Sequence, residues 1–333
     1  MSVFVKHQHT VCDFSSSDSW VILSPIEQSI KRKIEAVGTP LKDWDIQINY
    51  GIKTGYNEAF IISTEKREEI LSNCHSEDER KRTAELIRPI LRGRDIKRYG
   101  YDWANLFLIA TFPACHYDIE DYPAVKDYLM SFAEDYLRMA GCDWVADSYL
   151  SNFCKQKLSQ TGMVIEINVK RIIIGNTPEK ARKKTSNKWF ETQDSISYWE
   201  DFYKPKIMYP NMTKFMPFYY DEKQFFQNDK SFMITGSHTA FLTAFLNSSI
   251  FKFCFIDNFP ELLGGTRELR KIFFDKIPVI KISDKVNEEF IELISDIQKE
   301  YTKEKQRIRF HTFAPKLFVV NVAFKHLQEI RES

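Results

Sequence analysis

Residues 45–63 read DIQINYGIKTGYNEAFIIS, two β-rich runs on either side of a short polar loop. In the runs at 45–50 and 58–63, apolar and β-branched side chains either alternate with polar ones or follow one another, and both patterns are typical of strands. The loop between them, 51–57, contains two glycines and an asparagine, which favour a tight turn between strands. A loop that two strands hold in place is a good position for a binding site.

Outside this stretch, helical and extended patterns alternate without a regular order. Ser24 and Glu27 form a capping box before an isoleucine stripe at positions 26, 30 and 34, so we expect a helix with that stripe buried. A second helix is predicted over 122–140, where apolar residues recur at helical spacing. Strands are predicted at 104–112, 163–175, 204–210 and 231–235. Because the order contains no regular βαβ repetition, we predict a mixed α/β fold of the α+β class.

The chain becomes helical after residue 235. Residues 239–256 form an apolar run that predicts one core helix, too short and too interrupted by polar residues to span a bilayer. The segment 284–310 places apolar residues three and four positions apart on one face, which predicts one long amphipathic helix. We therefore divide the chain into an N-terminal extension (1–18), a β-rich domain (19–235) and a helical C-terminal region (236–333).

The chain has 333 residues, 43% of them hydrophobic, enough to fill the core of one large or two ordinary domains. Its 47 basic and 46 acidic residues leave a net charge of only +1, so an argument for a charged partner depends on local clusters. Six scattered cysteines without a CxxC pair fit a reducing cytoplasm better than a zinc site or a disulfide scaffold. No apolar run reaches the roughly 20 residues of a membrane span. We expect a cytoplasmic protein with no membrane partner.

The sequence contains none of the common catalytic signatures. It has no phosphate-binding GxxxxGK[ST], no GxGxxG after a strand, no HExxH and no GxSxG. None of its 12 prolines is adjacent to another, which excludes the [DNS]PP[YFW] loop of amino-methyltransferases. His7, His9 and Cys12 lack a matching second group of metal ligands, so we predict no metal site and no catalytic residue. A divergent nuclease stays open, because a metal-dependent site needs only a few carboxylates that folding brings together.

Three segments concentrate positive charge. The first, 86–100, contains five basic residues and one acid, a local balance of +4, together with two glycines. The second, 180–188, contains five basic residues and no acid, and Trp189 follows it as a ring for base stacking. The third, GGTRELRK at 264–271, begins with two glycines whose main-chain N–H groups can approach an anion at a predicted helix start.

Taken singly, each cluster fits a solvated face or a set of salt bridges at least as well as a ligand site. Three such clusters beside glycine loops favour contact with nucleic acid. The aromatic content of 14% keeps a scaffold or a carbohydrate-binding module open, although core packing explains most aromatic residues. An enzyme with an unrecognised nuclease site is the third alternative.

With these residues in view, the chain resembles the C-terminal specificity region of TaqI-like adenine methyltransferases and of type IIG restriction enzymes. The resemblance runs from about 19 to about 282. Five segments carry it in the family's order, and each is a weak pattern by itself. They read SWVILSPIEQSIKRKIEAVGTPLKDWDI, GIKTGYNEAFII, LIRPILRGRDIKRY followed by NLFLIATFP, KWFETQDSISYWEDFYKPKIMYP, and AFLNSSIFKFCF followed by GG and KIPV.

The resemblance implies a target-recognition module that docks on double-stranded DNA, reads base edges and directs N6-adenine methylation by a separate methyltransferase domain or subunit. That partner would use S-adenosylmethionine, and a nuclease domain, where one is present, would use Mg²⁺. No cofactor is expected in this chain itself. The module would act either within a longer enzyme or as a stand-alone specificity subunit.

The resemblance and the basic clusters together nominate residues that face DNA. They are Lys53, Thr54, Tyr56 and Asn57 in the loop; Arg88, Arg92, Arg94, Asp95, Lys97 and Arg98 in the first cluster; Lys180, Arg182, Lys183, Lys184, Lys188 and Trp189 in the second; and Gly264, Gly265, Thr266, Arg267, Arg270 and Lys271 in the third. An arginine would pair with guanine O6 and N7, and Asn57 with adenine N6 and N7. For Asp95 an internal role, as a partner that orders the arginines, is an equal alternative.

Overall fold

The structure of the chain is a computed structural model that describes residues 25–139, 165–166, 171–172, 186–188 and 190–307. The predicted N-terminal extension lies outside these residues, as do most of the second basic cluster and most of the predicted strand at 163–175. The described part mixes helices with several small β-sheets, which confirms the predicted α+β class.

Short strands and helices follow one another along the chain. The strands are β1 (Thr39–Pro40), β2 (Ile46–Tyr50), β3 (Ile61–Ser63), β4 (Ile87–Leu91), β5 (Ile96–Lys97), β6 (Gly100–Tyr101), β7 (Leu106–Ile109), β8 (Ile165–Glu166), β9 (Arg171–Ile172), β10 (Lys206–Pro210), β11 (Met212–Thr213), β12 (Tyr219–Asp221), β13 (Phe226–Gln227), β14 (Ser231–Gly236), β15 (Glu261–Leu262), β16 (Thr266–Glu268) and β17 (Pro278–Val279). The α-helices are α1 (Pro25–Val37), α2 (Asn57–Phe60), α3 (Thr64–Ser72), α4 (Glu77–Leu86), α5 (Pro123–Met139), α6 (Thr239–Leu246), α7 (Ser249–Phe255), α8 (Lys271–Phe274) and α9 (Asp284–Arg307).

Two four-stranded sheets form the centre of the fold. The first sheet has the order β12-β10-β14-β2 and is antiparallel throughout. The second sheet has the order β13-β4-β7-β3, with β13 parallel to β4 and the other pairs antiparallel. The described residues also form a three-stranded sheet, β11-β16-β15, and the hairpin β5–β6. The strands predicted at 45–50, 104–112, 204–210 and 231–235 are confirmed; the first three are shorter than predicted, and the fourth extends by one residue to Gly236.

The segment 45–63 connects the two sheets. β2 belongs to the first sheet and β3 to the second, and residues 57–60 form the helical turn α2. The main-chain N–H of Ile52 donates to the carbonyl of Gln227 at 2.7 Å, and the carbonyl of Ile52 accepts from the N–H of Asp229 at 3.0 Å. The predicted tight loop between neighbouring strands is therefore wrong. The segment 227–229 binds the main chain of Ile52, at the place where the turn would have to form.

Hydrophobic side chains form two main clusters. One surrounds the second sheet and includes Phe60 and Leu108, both almost completely buried. The other lies between the first sheet and the C-terminal helices and includes Tyr209 and Phe290. Since this second cluster contains residues from both sides of residue 235, the change at 235 is one of secondary structure. A domain boundary at residue 235 stays a prediction.

Helix α1 confirms the helix predicted after Ser24, but its isoleucine stripe is not buried as expected. Ile26 is 71% exposed and Ile30 is 36% exposed, whereas Ile34 packs against the second cluster. The helix contacts the described fold at its C-terminal end, where Gly38 lies against Pro278. Only the last turn of the stripe therefore reaches the core.

The apolar run at 239–256 forms two helices, α6 and α7, so the prediction of a single helix is wrong. At the break, the side chain of Asn247 accepts from the main-chain N–H of Phe218 at 3.2 Å and donates to its carbonyl at 2.8 Å. The hydroxyl of Ser248 then caps α7 by accepting from the N–H of Phe251 at 3.1 Å. These two polar side chains bind main-chain groups, which ends one helix and starts the next.

The other two predicted helices are present. Helix α5 confirms the one at 122–140, and α9 confirms the long C-terminal helix up to Arg307, where the described residues end. Among the described residues, no helix combines the length and the apolar character that crossing a bilayer requires.

A buried ion pair links two strands of the first sheet. The ammonium of Lys206 lies 2.6 Å from the carboxylate of Asp221, and both side chains are 0% exposed. Lys206 also donates to the carbonyl of Phe202 at 2.7 Å, and Asp221 accepts from the main-chain N–H of Phe225 at 2.9 Å. Burial lowers the pKa of Lys206, and the charge of Asp221 opposes that shift. The pair is stable because each charge has several partners.

We expect Asp221→Ala to lower the free energy of unfolding by about 3–5 kcal/mol, because it leaves the buried ammonium of Lys206 without its counter-charge. Urea unfolding at neutral pH measures this loss. The matched control is Asp296→Ala, which removes the partner of Lys299 from a pair whose side chains are 72% and 64% exposed. That control should cost less than about 1 kcal/mol. Equal losses for the two variants would contradict the role of burial.

Candidate nucleic-acid interface

A groove of about 950 Å³ lies between the segment 93–98, the segment 210–217 and the start of α7. Its walls contain cationic side chains and no acidic one. We call it the basic groove, and its cationic residues are Arg94, Lys97, Arg98, Lys230 and Lys252. A concave surface with one sign of charge raises the local concentration of an oppositely charged ligand.

The first basic cluster supplies Arg94, Lys97 and Arg98 to this groove, and their contact with DNA stays a prediction. The other two cations come from isolated positions that sequence reasoning missed. Lys230 precedes β14 and lies 3.2 Å from its neighbour Asp229, and Lys252 lies on the apolar helix α7. Neither position belongs to a local charge cluster, so no signal in the sequence distinguishes it.

The turn Gly93–Asp95 positions the arginines of the first cluster. The carboxylate of Asp95 accepts from the main-chain N–H of Arg92 at 2.9 Å and from two guanidinium nitrogens of Arg92 at 2.8 and 2.9 Å. These hydrogen bonds raise the pKa of Arg92. Asp95 is only 5% exposed. The structure therefore shows the internal alternative for Asp95, whose carboxylate binds Arg92 and fixes the turn. The DNA contact predicted for Arg92 stays a prediction.

Asn228 holds the same turn from the other side, and sequence reasoning did not single it out. Its side-chain oxygen accepts from the main-chain N–H groups of Gly93 at 3.2 Å and Lys230 at 3.4 Å. Its own N–H donates to the carbonyl of Leu91 at 3.2 Å. A Cβ at Gly93 would lie 2.3 Å from the carbonyl oxygen of Lys230, so only glycine fits there.

Three groove cations bind protein acceptors. Lys230 lies 3.2 Å from the carboxylate of Asp229, and Lys97 lies 3.8 Å from that of Asp102. A terminal guanidinium nitrogen of Arg98 donates to the carbonyl of Asn247, and the same guanidinium lies 5.6 Å from the ring centre of Tyr99. Lys97 donates to the carbonyl of Arg94 at 2.6 Å. Burial raises the pKa of Tyr99 to about 12, so its hydroxyl stays neutral beside Arg98.

Arg94 and Lys252 are exposed. Within the described part of the chain, no hydrogen-bond or ion-pair partner occupies either side chain. Both can therefore bind a phosphate or a base edge without first breaking an internal contact.

The loop 51–57 lies outside the basic groove. Lys53 and Asn57 are exposed, as predicted for residues that face DNA, and Tyr56 is half-buried, which raises the pKa of its hydroxyl. Thr54 is only 1% exposed, and its hydroxyl donates to the side-chain oxygen of Asn57 at 2.7 Å. The prediction of a DNA contact by Thr54 is wrong, because this side chain points into the fold and orients Asn57.

Arg88 also lies away from the basic groove. Its guanidinium lies 5.0 Å from the ring centre of Tyr203 and 5.6 Å from that of Phe226, and it donates to the side chain of Gln224 at 3.3 Å. These contacts occupy the side chain in packing against the aromatic rings. The structure therefore places Arg88 against aromatic rings, away from the groove where a phosphate contact is proposed.

The third basic cluster forms a hairpin with paired charges. Gly264 and Gly265 make its turn with φ values of 75° and 74°, and Thr266 starts β16, so the glycines lead into a strand and the helix begins only at Lys271. Each cation has an acidic neighbour, as the salt-bridge alternative proposed. The pairs are Arg267 with Glu261 at 3.0 Å, Arg270 with Glu268 at 2.7 Å, and Lys271 with Asp275 at 2.9 Å.

The second basic cluster is described only at Lys188. This side chain is exposed and donates to the carbonyl of Tyr117 at 3.1 Å. The other nominated residues, Lys180, Arg182, Lys183, Lys184 and Trp189, lie outside the described residues, and so do His7, His9 and Cys12. In the described ranges, no three histidine, cysteine, aspartate or glutamate side chains are grouped so as to hold a metal ion.

Comparison with known proteins gives a family match and distant likenesses to solved structures, including those of BpuSI and MmeI. The family described as the TaqI-like C-terminal specificity domain matches residues 88–279. Among solved structures, the type IIG restriction endonuclease BpuSI is 15% identical with a TM-score of 0.48, over 81% of this chain and 28% of that one. The type IIL restriction-modification enzyme MmeI, solved in complex with DNA, is 12% identical with a TM-score of 0.43, over 80% of this chain and 29% of that one.

The chain thus spans less than a third of the length of either enzyme, 28% and 29%. No curated protein matches it significantly. The family match begins at Arg88, so it includes the basic groove and leaves out the loop 51–57.

We expect Asp95→Ala to lower the free energy of unfolding by about 1.5–3 kcal/mol, because a buried carboxylate that accepts charge-assisted hydrogen bonds is lost. Chemical denaturation measures the change. The control is Arg94→Ala in the same turn, whose exposed side chain should contribute less than about 0.5 kcal/mol. If Asp95→Ala unfolds at the wild-type denaturant concentration, the carboxylate does not fix the turn.

Proposed function

The chain belongs to the TaqI-like C-terminal specificity domain family, and from this premise we propose that it reads the base sequence of double-stranded DNA for a restriction-modification enzyme. The observation that carries the proposal is the basic groove, where cations from three separate segments meet and where Arg94 and Lys252 have no acidic partner among the described residues. DNA presents a dense row of phosphates, and neutralising them supplies much of the binding free energy.

The groove has two kinds of cation that suit two kinds of contact. Arg94 projects from a turn that Asp95 and Asn228 hold in place, and a fixed guanidinium can bind guanine O6 and N7 together. Lys252 is an exposed point charge on α7, which suits a phosphate. We assign base reading to Arg94 and backbone contact to Lys252.

The catalytic steps belong, in this proposal, to other parts of the enzyme. A methyltransferase domain or subunit would take the methyl group from S-adenosylmethionine to adenine N6, and a nuclease domain, where present, would use Mg²⁺. This chain would carry no catalytic residue and would act in the cytoplasm. Its task is to position the target, which a rigid turn and a charged groove can do without chemistry of their own.

Selection from a pool of randomised duplexes, performed with the purified chain at low and moderate salt, tests the proposal. We expect enrichment of one short motif and an affinity that falls as salt rises. Salt-sensitive binding without a motif would mean that base reading requires the rest of the enzyme. No binding at either salt concentration would refute DNA recognition by this chain.

Arg94→Ala should weaken binding to the selected motif by about 1–3 kcal/mol and relax one base position, because the bidentate guanine contact is lost. Competition binding against duplexes with single base changes measures both effects. Arg270→Ala is the matched control, since Arg270 is exposed and outside the groove and is paired with Glu268 at 2.7 Å. Uniform weakening on all sequences by Arg94→Ala would make this residue a phosphate contact.

Lys252→Ala should weaken binding to all sequences alike and reduce the slope of log affinity against log salt by about 1, because one phosphate contact disappears. A salt titration with motif and scrambled duplexes measures the slope. Lys299→Ala, in the exposed pair with Asp296, should leave it unchanged. An unchanged slope for Lys252→Ala would remove this lysine from the interface. The same titration on Lys183→Ala tests the predicted contact of the second basic cluster.

A further inference from the structure

The hairpin β15–β16 exposes large apolar side chains beside the basic groove. Leu263 at its turn is 99% exposed and Leu262 is 40% exposed. Phe215 and Met212, 83% and 53% exposed, line the groove. A single exposed leucine is ordinary on a protein surface, but here two exposed leucines on the hairpin and two exposed apolar residues on the groove wall belong to neighbouring segments of the chain's β11–β16–β15 region. Exposed apolar residues in such numbers are typical of a contact surface.

The hairpin and the groove wall belong to one sheet. β11, which contains Met212, pairs with β16, and β16 pairs with β15. A methyl group at Gly264 would lie 3.8 Å from the ammonium of Lys214, so a cation lies next to the hairpin turn. At Gly265 nothing lies within 4 Å of the same position, so the turn projects into open space.

The base of the hairpin is firmly held. Arg267 donates to the carbonyl of Phe259 at 2.8 Å and to the carboxylate of Glu261 at 3.0 Å, which ties the two strands together. The N–H of Leu269 donates to the carbonyl of Asn211 at 2.8 Å, and the N–H of Asn211 donates to the carbonyl of Lys230 at 2.9 Å. Main-chain hydrogen bonds through Asn211 therefore connect the β16 side of the hairpin to Lys230, a cation of the basic groove.

The surroundings of this apolar surface indicate what covers it. Protein–protein contact surfaces are depleted in lysine at their centres. Here Lys214 lies next to the turn, and the cations of the basic groove lie beyond Phe215 and Met212. Apolar side chains flanked by cations match a base stack flanked by phosphates, and leucine and phenylalanine are among the residues that proteins insert between base pairs.

We propose that Leu263 inserts between two stacked base pairs of the duplex that the basic groove holds, with Phe215 packed beside the opened step. The inference rests on the proposed function, because the groove must first bind DNA. Insertion of this kind unstacks one base step and bends the duplex towards more protein surface. It also favours flexible pyrimidine–purine steps, so the hairpin would add sequence preference without hydrogen bonds to bases.

Fluorescence of 2-aminopurine tests the inference, since this base brightens when it is unstacked. Duplexes that carry the selected motif, or an arbitrary sequence if no motif is enriched, receive the probe at each adenine in turn. The wild-type chain should brighten the probe at one step only. Leu263→Ser should abolish that signal and weaken binding about tenfold while the salt slope stays unchanged.

Two further variants make the result specific. Leu263→Met keeps a long apolar side chain and should retain the signal. Ile272→Ser removes an apolar residue that is 60% exposed but does not line the groove, and it should change neither the signal nor the affinity. Since Leu263 is 99% exposed, its variants should unfold at the wild-type denaturant concentration.

Each outcome separates the inference from the proposed function. Tight, salt-sensitive binding with no bright probe position would overturn insertion and leave DNA recognition standing. Leu263→Ser with wild-type signal and affinity would also overturn it, and would assign the hairpin to contact with a protein partner. Absence of DNA binding by the wild-type chain would refute both proposals together.

Discussion

The side chain of Asn228 lies where the two four-stranded sheets meet, and the candidate interface depends on it. Through its side chain and its main chain it binds Gly93 and Leu91, at the end of β4, while its neighbour Asp229 binds Ile52. The fit is close enough that a Cβ at Gly51 would lie 1.9 Å from the carbonyl oxygen of Asn228. The turn that presents Arg94 and the segment that joins the sheets are therefore set by one residue.

The elements that the sequence predicts well are those whose burial pattern is local. The strand at 204–210 and the helix at 284–307 each bury one continuous set of side chains, so periodicity identifies them. The wrong predictions fall where a polar group binds a distant main chain. The side chain of Asn247 ends an apolar helix by binding Phe218, and the main-chain carbonyl of Gln227, also distant in sequence, holds the segment predicted as a tight loop. Such partners are far apart in sequence, so no local pattern contains them.

The same distinction explains the candidate site. Local charge density selected Arg94, Lys97 and Arg98, which line one groove, but it also selected the cluster at 264–271, where every cation is paired with an acid. It could not indicate Lys252, which lies alone on an apolar helix. Charge along the chain measures composition, whereas binding depends on which cations share a concave wall and which have partners.

In the proposed function, Arg94 and Lys252, two groove cations without an acidic partner among the described residues, would attract an anionic ligand although the net charge of the chain is only +1. At physiological salt the screening length is about 8 Å, so a phosphate responds to the side chains around it and little to charges elsewhere on the surface. Acids at the base of the hairpin, such as Glu261, do not weaken the attraction of the groove for an anion, because Glu261 is already paired with Arg267. In the proposed function, the groove would attract phosphates at short range, and base contacts would decide where the module stays bound.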